Sequence, residues 1–253
     1  KTSFKEIGQD EPVFIIAEAG VNHNGDIDLA HKLIDAAADV AVDAVKFQTF
    51  LVDELVSREA PLASHHISNI KEEISHYDLL KKIELPLGVF EELKKHCEER
   101  GVVFISTPYD IPSAKHLIDI KTELIKIASS EMLNYPLLHV CGDASTPIVL
   151  STGMSDWQEI EESVAFLSTY EPELCILKCT SNYPADFDSI NLRGITRIHE
   201  SFENCLVGFS DHTVGNEVSI ASLGIGVSVI EKHFTLDRSL WGPDHCASMI
   251  PSE

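Results

Sequence analysis

The chain is poor in basic charge: 19 Lys and Arg stand against 41 Asp and Glu, a formal net charge of -22 over 253 residues. A surface of that sign repels nucleic-acid phosphates and anionic lipid, which argues against a nucleic-acid or membrane-surface role. The same field opposes any anionic small molecule. A phosphate or carboxylate ligand would therefore need a local cluster of Lys, Ser, Thr and backbone N–H groups. Long apolar runs are missing as well. No stretch of about eighteen uncharged apolar residues occurs, and the opening KTSFKEIGQDEP has no apolar signal core. The six cysteines (Cys97, Cys141, Cys175, Cys179, Cys205 and Cys246) include no C-x-x-C pair, and three lie inside apolar runs, as small core residues do. Reduced thiols and a cytoplasmic location are the expectation. With no repeat, heptad array or low-complexity tract, a single domain over 1–253 is expected.

What the chain does contain is alternation. Eight short runs rich in β-branched residues read as strands: VFIIAEA (13–19), DAVKFQTF (43–50), VVFISTP (102–108), ELIKIAS (123–129), PIVLST (147–152), LCILKCT (174–180), CLVGFS (205–210) and VSVIEKHF (227–234). Helical patterns lie between them near 27–40, 88–100, 112–120, 134–143, 156–169, 190–202 and 214–224. Ser155, Gly88 and Pro112 mark helix starts, and Gly101 follows a basic last turn. Strict alternation of this kind predicts a closed (β/α)8 TIM barrel, with an open doubly wound sheet as the alternative. Segment 51–87, with its polar stretch SREAPLASHHISNIKEEISHYD, is too long for a plain crossover and reads as a lid or binding loop. The chain stops at PSE soon after the eighth strand, so a closing helix is expected to lie outside it.

Polar residues gather at the C-terminal end of almost every one of these strands, the end at which barrel active sites are built. They comprise Glu18 with Asn22, His23 and Asn24; Lys46 with Gln48; Thr107; Lys126 with Ser129 and Glu131; and Ser151 with Thr152. Thr180 with Ser181, Asn182 and Tyr183, Ser210 with Asp211 and His212, and finally His233 complete the ring. His212 and His233 end consecutive strands and should share the rim, close enough for one divalent metal, with Glu18, Asp244, substrate or water completing the site. The plainer reading of the pair is a turn cap and a satisfied barrel histidine. Lys46 and Lys126 lie in otherwise apolar strands, where an ammonium needs an anionic partner: either a bound ligand, or an internal carboxylate such as Glu18 or Glu131. A Schiff-base role for either lysine is a further reading. Lys178 is a weaker candidate for ligand contact. NHNGD (22–26) is either part of the site or a turn that starts a helix, with His23 its one candidate, and His65-His66 reads as surface or lid.

In order along nearly the whole chain stand IAEAGVNHNGD, VKFQTF, ISTP, KIASSE, LSTGM, KCTSNYP, GFSDHT, IEKHFTLDR and GPDHCAS. Together they resemble the sialic acid synthase family, which includes legionaminic and pseudaminic acid synthases and spore-coat polysaccharide enzymes. The resemblance implies condensation of phosphoenolpyruvate with an N-acetylated amino sugar, N-acetylmannosamine or a dideoxy-diamino analogue, to give a nonulosonic acid and phosphate. It assigns phosphoenolpyruvate to Lys46, Thr107, Lys126, Ser129, Ser151, Ser181 and Ser210. A divalent metal, commonly Mn2+ with Mg2+ or Co2+ as alternatives, falls to His212 and His233. Sugar contacts fall to Glu18, Gln48, Glu131, Tyr183 and Asp244, with Glu18 or Glu131 moving protons. Three departures stand out. KIASSE puts Ala128 and Ser130 where glycine is commoner, and Ser181 stands where some members have Asn. The family's C-terminal antifreeze-like domain, which caps the partner's barrel in a homodimer, is not in this chain. Rival readings are a synthase acting on a phosphorylated sugar, a Schiff-base aldolase and a non-catalytic sensor of carbohydrate or metabolite.

Overall fold

The computed structural model describes residues 1–62, 70 and 74–253. Eight parallel strands close into a barrel in sequence order, which settles the choice against an open sheet. They are β1 (Phe14–Gly20), β2 (Ala44–Thr49), β3 (Val103–Pro108), β4 (Leu124–Ile127), β5 (Ile148–Ser151), β6 (Leu174–Cys179), β7 (Leu206–Asp211) and β8 (Val229–His233). The outer helices are α1 (Ile27–Asp39), α4 (Val89–Arg100), α5 (Ile111–Asp119), α6 (Tyr135–Asp143), α7 (Trp157–Ser168), α8 (Arg193–Ser201) and α9 (Glu217–Leu223). Among the described residues of the long β2–β3 connection, the shorter helices α2 (Val52–Leu55) and α3 (His76–Ile83) are found. The His65-His66 pair lies outside the described residues.

Helix boundaries follow side-chain chemistry. Asp26 caps α1 by accepting from the Asp28 and Leu29 amides, and Gly101 ends α4 at φ 71°. The cap of α7 is Asp156 rather than the adjacent Ser155: its carboxylate accepts from the Glu159 amide while the Glu159 carboxylate accepts from the Asp156 amide, a reciprocal pairing that position 156 gains from a glutamate three residues on. The expected helix 190–202 starts later, at Arg193, because residues Phe187–Ser189 form a separate 3-10 turn. Likewise 214–224 shortens to α9, after Gly215 at φ 81°.

Strand parity decides which residues reach the site. A barrel strand turns alternate side chains inward. The cluster that fills the barrel includes Phe14 and Ile16 of β1, Val103 and Ile105 of β3, Leu124 of β4, Val149 of β5, Cys175 and Leu177 of β6 and Val229 of β8. The other parity packs against helices, as Val45, Phe47 and Phe104 do beside Leu33, Ile34 and Phe90. Continuing the inward parity toward the C-terminal ends gives Glu18, Lys46, Thr107, Lys126, Ser151, Cys179, Ser210 and Glu231, all buried. The polar ring is thus the upper layer of the same stack whose lower layers are apolar.

Gly208 shows how tightly the lower stack is filled. It pairs with Val229, and a Cβ there would lie 2.4 Å from Leu177 Cδ2 and 2.6 Å from the Val229 carbonyl oxygen. Since a backbone atom must move, Gly208→Ala should destabilise the chain by about 1–3 kcal/mol. The expected readout is a lower urea midpoint at unchanged m; an unshifted midpoint would show that the stack has slack.

Candidate active site

The mouth of the barrel holds a cavity of about 510 Å³ lined by the strand ends and by α2 and α3. At its base lies an ion network. Lys46 Nζ sits 2.7 Å from Glu18 Oε2 and 3.6 Å from Glu231 Oε2, and donates to Thr107 Oγ1 at 3.1 Å. Lys126 Nζ lies 3.6 Å from Glu231 Oε1, which also accepts from Ser210 Oγ at 2.8 Å. Burial works against ionising Glu231, yet the Lys126 and Lys46 ammoniums and the Ser210 hydroxyl hold it at about 2. Burial also pushes Lys126 below the usual lysine range, with Glu231 opposing the shift. Lys46 is raised instead: its two carboxylate neighbours outweigh desolvation. Glu18 is raised by burial and by Glu231, against the pull of Lys46, and accepts from Gln48 Nε2 at 3.2 Å. Of the two partners open to the lysines, the internal carboxylate is present: two ammoniums are matched by two carboxylates, Glu18 beside Lys46 as one of the alternatives had it, and Glu231 rather than Glu131 beside Lys126. A low-dielectric interior does not tolerate the cations alone.

A second wall consists of hydroxyls and backbone. Ser129, in the 3-10 turn Ser129–Glu131, accepts from the Gly153 amide at 2.9 Å. A Cβ on Gly153 would fall 2.2 Å from Ser181 Oγ and 2.9 Å from Ser129 Oγ, so glycine leaves a cradle of hydroxyls open. The nearby Ser151 Oγ is buried without a hydrogen-bond partner. Such a group costs free energy until something supplies its missing bond.

His212 and His233 do lie together, their ring centroids 5.5 Å apart, and Tyr183 stacks on His212 at 4.1 Å and meets His233 edge-on at 5.3 Å. The Thr180 carbonyl, 2.8 Å from His212 Nδ1, fixes the proton there, and Nε2 faces Ser210 Oγ at 3.3 Å. His233 Nδ1 is buried with no hydrogen bond, and burial together with His212 holds that ring well below the usual histidine value, hence neutral. Among the described residues no three His, Cys, Asp or Glu gather as a metal cluster. Among the described residues the two imidazoles thus stand as a pair of nitrogen donors without a third His, Cys, Asp or Glu gathered beside them. Asp244, also on the cavity wall, is raised to about 6 by burial and by Glu18.

Every residue that the family resemblance assigns lines this one cavity: Glu18, Lys46, Gln48 and Thr107 from β1 to β3, and Lys126, Ser129 and Glu131 around β4. Ser151, Ser181, Tyr183 and Ser210 follow, then His212, His233 and Asp244. Outside it stay Lys178, which donates to the Cys179 carbonyl and to Thr180 Oγ1, and His23, whose Nδ1 accepts from the Gly25 amide. NHNGD is a structural turn: Asn24 adopts φ 54° and Gly25 φ 78°, while Asn22 binds the Phe234 carbonyl and Ser248, tying down the segment that carries Asp244. Glu231 was missed by the sequence reading. Its signal was available, a charge inside the apolar run VSVIEKHF, the criterion that singled out Lys46 and Lys126. Cys179 and Tyr109, both on the cavity wall, carried no such signal, since each reads as ordinary core.

A closed parallel barrel with ammoniums, hydroxyls and paired imidazoles converging on its C-terminal mouth defines a barrel enzyme handling an anionic substrate. Sequence comparison agrees: the profile of the NeuB family matches residues 33–253. The N,N'-diacetyllegionaminic acid synthase of Legionella pneumophila is 42% identical over 254 residues, covering 98% of this chain and 71% of that protein. The enzyme of the same name from Campylobacter jejuni is 41% identical over 94% of this chain and 72% of its own length. Among solved structures, the N-acetylneuraminic acid synthetase of Leptospira borgpetersenii, in complex with citrate, superposes with a TM-score of 0.88 at 33% identity, over 100% of this chain and 84% of that one. The chain belongs to the NeuB family, and is an enzyme of the phosphoenolpyruvate-dependent synthase type.

Two measurements check the electrostatic account. Glu231→Leu leaves Lys126 and weakens Lys46 without their shared anion, and should cost about 3–5 kcal/mol in urea denaturation; a variant as stable as the parent would mean the network is not structural. Between the ordinary carboxylate value of 3.8 and about 6, folded Asp244 keeps a proton that the unfolded chain has lost. Stability should therefore fall as pH rises through that window, by about 3 kcal/mol in all. Asp244→Asn should remove that slope; equal slopes in parent and variant would refute it.

Proposed function

We propose that the chain condenses phosphoenolpyruvate with an N-acetylated amino sugar, N-acetylmannosamine or a dideoxy-diamino analogue, and water, giving a nonulosonic acid and phosphate. The observation that carries this reading is the convergence of Lys46, Lys126, the Gly153 cradle and the His212–His233 pair on one cavity. Family membership supports the reaction type, and the names of the two bacterial relatives support the sugar class.

In this reading Lys46 and Lys126 bind the carboxylate and phosphate of phosphoenolpyruvate. Glu18 and Glu231 keep the ammoniums placed before the ligand arrives, which lowers the reorganisation needed in the transition state. The orphan hydroxyl of Ser151, with Ser129, Ser181 and the Gly153 amide nearby, suits the phosphate oxygens. His212, held by the Thr180 carbonyl, and neutral His233 would hold a divalent cation such as Mn2+, Mg2+ or Co2+. When bound, that ion supplies Lewis acidity toward the sugar's aldehyde oxygen. C3 of phosphoenolpyruvate forms the new bond to the aldehyde carbon, whose oxygen takes a proton and becomes a hydroxyl. Water adds to the electron-poor C2, and the resulting tetrahedral centre expels phosphate by C–O cleavage, leaving a keto acid. Glu18, raised by burial and by Glu231 against the pull of Lys46, is better suited to take up and return a proton than Glu231, which is held at about 2.

Phosphate release measured with phosphoenolpyruvate, Mn2+ and a panel of amino sugars tests this. Activity should vanish on chelation and return with Mn2+, and Ser151→Ala should lower kcat/KM for phosphoenolpyruvate about ten- to a hundredfold, the range for a hydrogen bond to a charged group. Mn2+-dependent activity retained in both His212→Ala and His233→Ala would remove the metal from this site.

A further inference from the structure

Two buried charges of the barrel take no part in the reaction proposed above. Asp211, the last residue of β7, and Lys232, one residue before the end of β8, stand opposite each other in the strand register. Their side chains leave the barrel on the helix side, because Ser210 and Glu231, one position earlier, point inward. Lys232 Nζ lies 2.9 Å from Asp211 Oδ2 and donates to the Thr213 carbonyl at 2.7 Å. Asp211 Oδ1 accepts from the Thr213 amide at 2.9 Å and from the Thr213 hydroxyl at 2.7 Å, and Oδ2 accepts from Ser219 Oγ of α9 at 2.6 Å. The outward positions of β4 and β5 are filled instead by Ile125, Ile127, Ile148 and Leu150, which pack on helices with no charge to desolvate. A buried ion pair is often no more stable than apolar side chains of the same volume, so what it adds in such a layer is direction.

Resting on the reading of His212 and His233 as metal donors, we infer that Asp211 and Lys232 are the positioning pair for those imidazoles: by tying the end of β7 to the end of β8 from outside the barrel, their bridge sets the 5.5 Å separation of the two rings. His212 lies between Asp211 and Thr213, and His233 directly follows Lys232. The Lys232 ammonium holds the Asp211 carboxylate on its own rung and the Thr213 carbonyl beyond it, so the backbone on both sides of His212 is fastened to the strand that carries His233. Asp211 closes the same turn through the Thr213 amide and hydroxyl. Neither side chain meets the cavity, and each acts through the histidine next to it. A comparable bridge lies at the opposite end of the barrel. Lys5 Nζ stands 2.8 Å from Asp43 Oδ1, and Asp43 Oδ2 accepts from the Ile15 amide at 2.7 Å, which ties the start of β1 to the start of β2 away from the imidazoles.

The double variant Asp211→Asn with Lys232→Met removes the bridge without stranding a charge, since an amide at 211 can still bond Thr213 and Ser219. Two readouts are taken without substrate: Mn2+ affinity by calorimetry, and the spacing of the two rings in a metal-free crystal structure. Mn2+ should bind about ten- to a hundredfold more weakly, the range for groups that orient metal ligands, and the rings should depart from their 5.5 Å spacing. Lys232→Arg keeps the cation and should recover most of the affinity. Asp43→Asn with Lys5→Met, the control at the other end, should lower the urea midpoint yet leave Mn2+ affinity and ring spacing at parental values. Rings that keep their spacing in the double variant overturn the inference, as does an equal loss of affinity in the control. Should the double variant not fold, Ser219→Ala, which removes only the bond from α9, should shift both readouts in the same direction; parental values there overturn the inference. If the parent itself takes up no Mn2+, the metal reading falls and the ring spacing alone decides: parted rings support the positioning pair and unmoved rings overturn it.

Discussion

The Lys46–Glu18 and Lys126–Glu231 ion network is the constraint on which the mouth of this barrel depends. Four charged groups are buried inside a ring of strands, and each is tolerable only because the others are within a few ångströms. Ser210 joins the network through Glu231 and stands 3.3 Å from His212 Nε2, so the imidazole side of the cavity and its lysine side are tied by one carboxylate. The geometry of each catalytic candidate is thus inherited from its neighbours on adjacent strands.

That arrangement also reconciles the acidic chain with an anionic substrate. The global charge of -22 is carried mostly outside the mouth, while at the base cations and carboxylates stand in equal number. A ligand entering there meets ammoniums already oriented by Glu18 and Glu231, the Ser151 hydroxyl that lacks a partner, and the space left open by the missing side chain at Gly153. Preorganised dipoles of this kind do more for a transition state than a loose excess of positive charge. Phe50, Leu55, Val56 and Leu80 add apolar side chains to the lining, held by a satellite core.

The segment after β8 illustrates a division of labour. NHNGD looked equally like site and scaffold, and it proves to be scaffold. Asn22 holds the Phe234 carbonyl and Ser248, Asn24 holds the Trp241 carbonyl, and the His245 ring lies between Asn24 and Thr235. These contacts fasten the loop that presents Asp244. A turn motif at the end of β1 therefore acts on the site only through residues more than two hundred positions away.

Much of this protein was legible in one dimension. Alternating apolar runs and helical patterns fixed eight strands and a closed barrel, because period-2 and period-3.6 burial are written residue by residue. Charges within apolar strands marked Lys46 and Lys126, because burying an ion is costly enough to demand a reason. The motif register assembled the remaining candidates, which all reach one cavity. Tertiary structure alone decided the partners. That Glu231 and not Glu131 neutralises Lys126, that Cys179 and Tyr109 join the wall, and that α2 and α3 bring Leu55, Val56 and Leu80 over the mouth all depend on strand register and helix packing. Those are distances between residues far apart in the chain, and no local pattern encodes them.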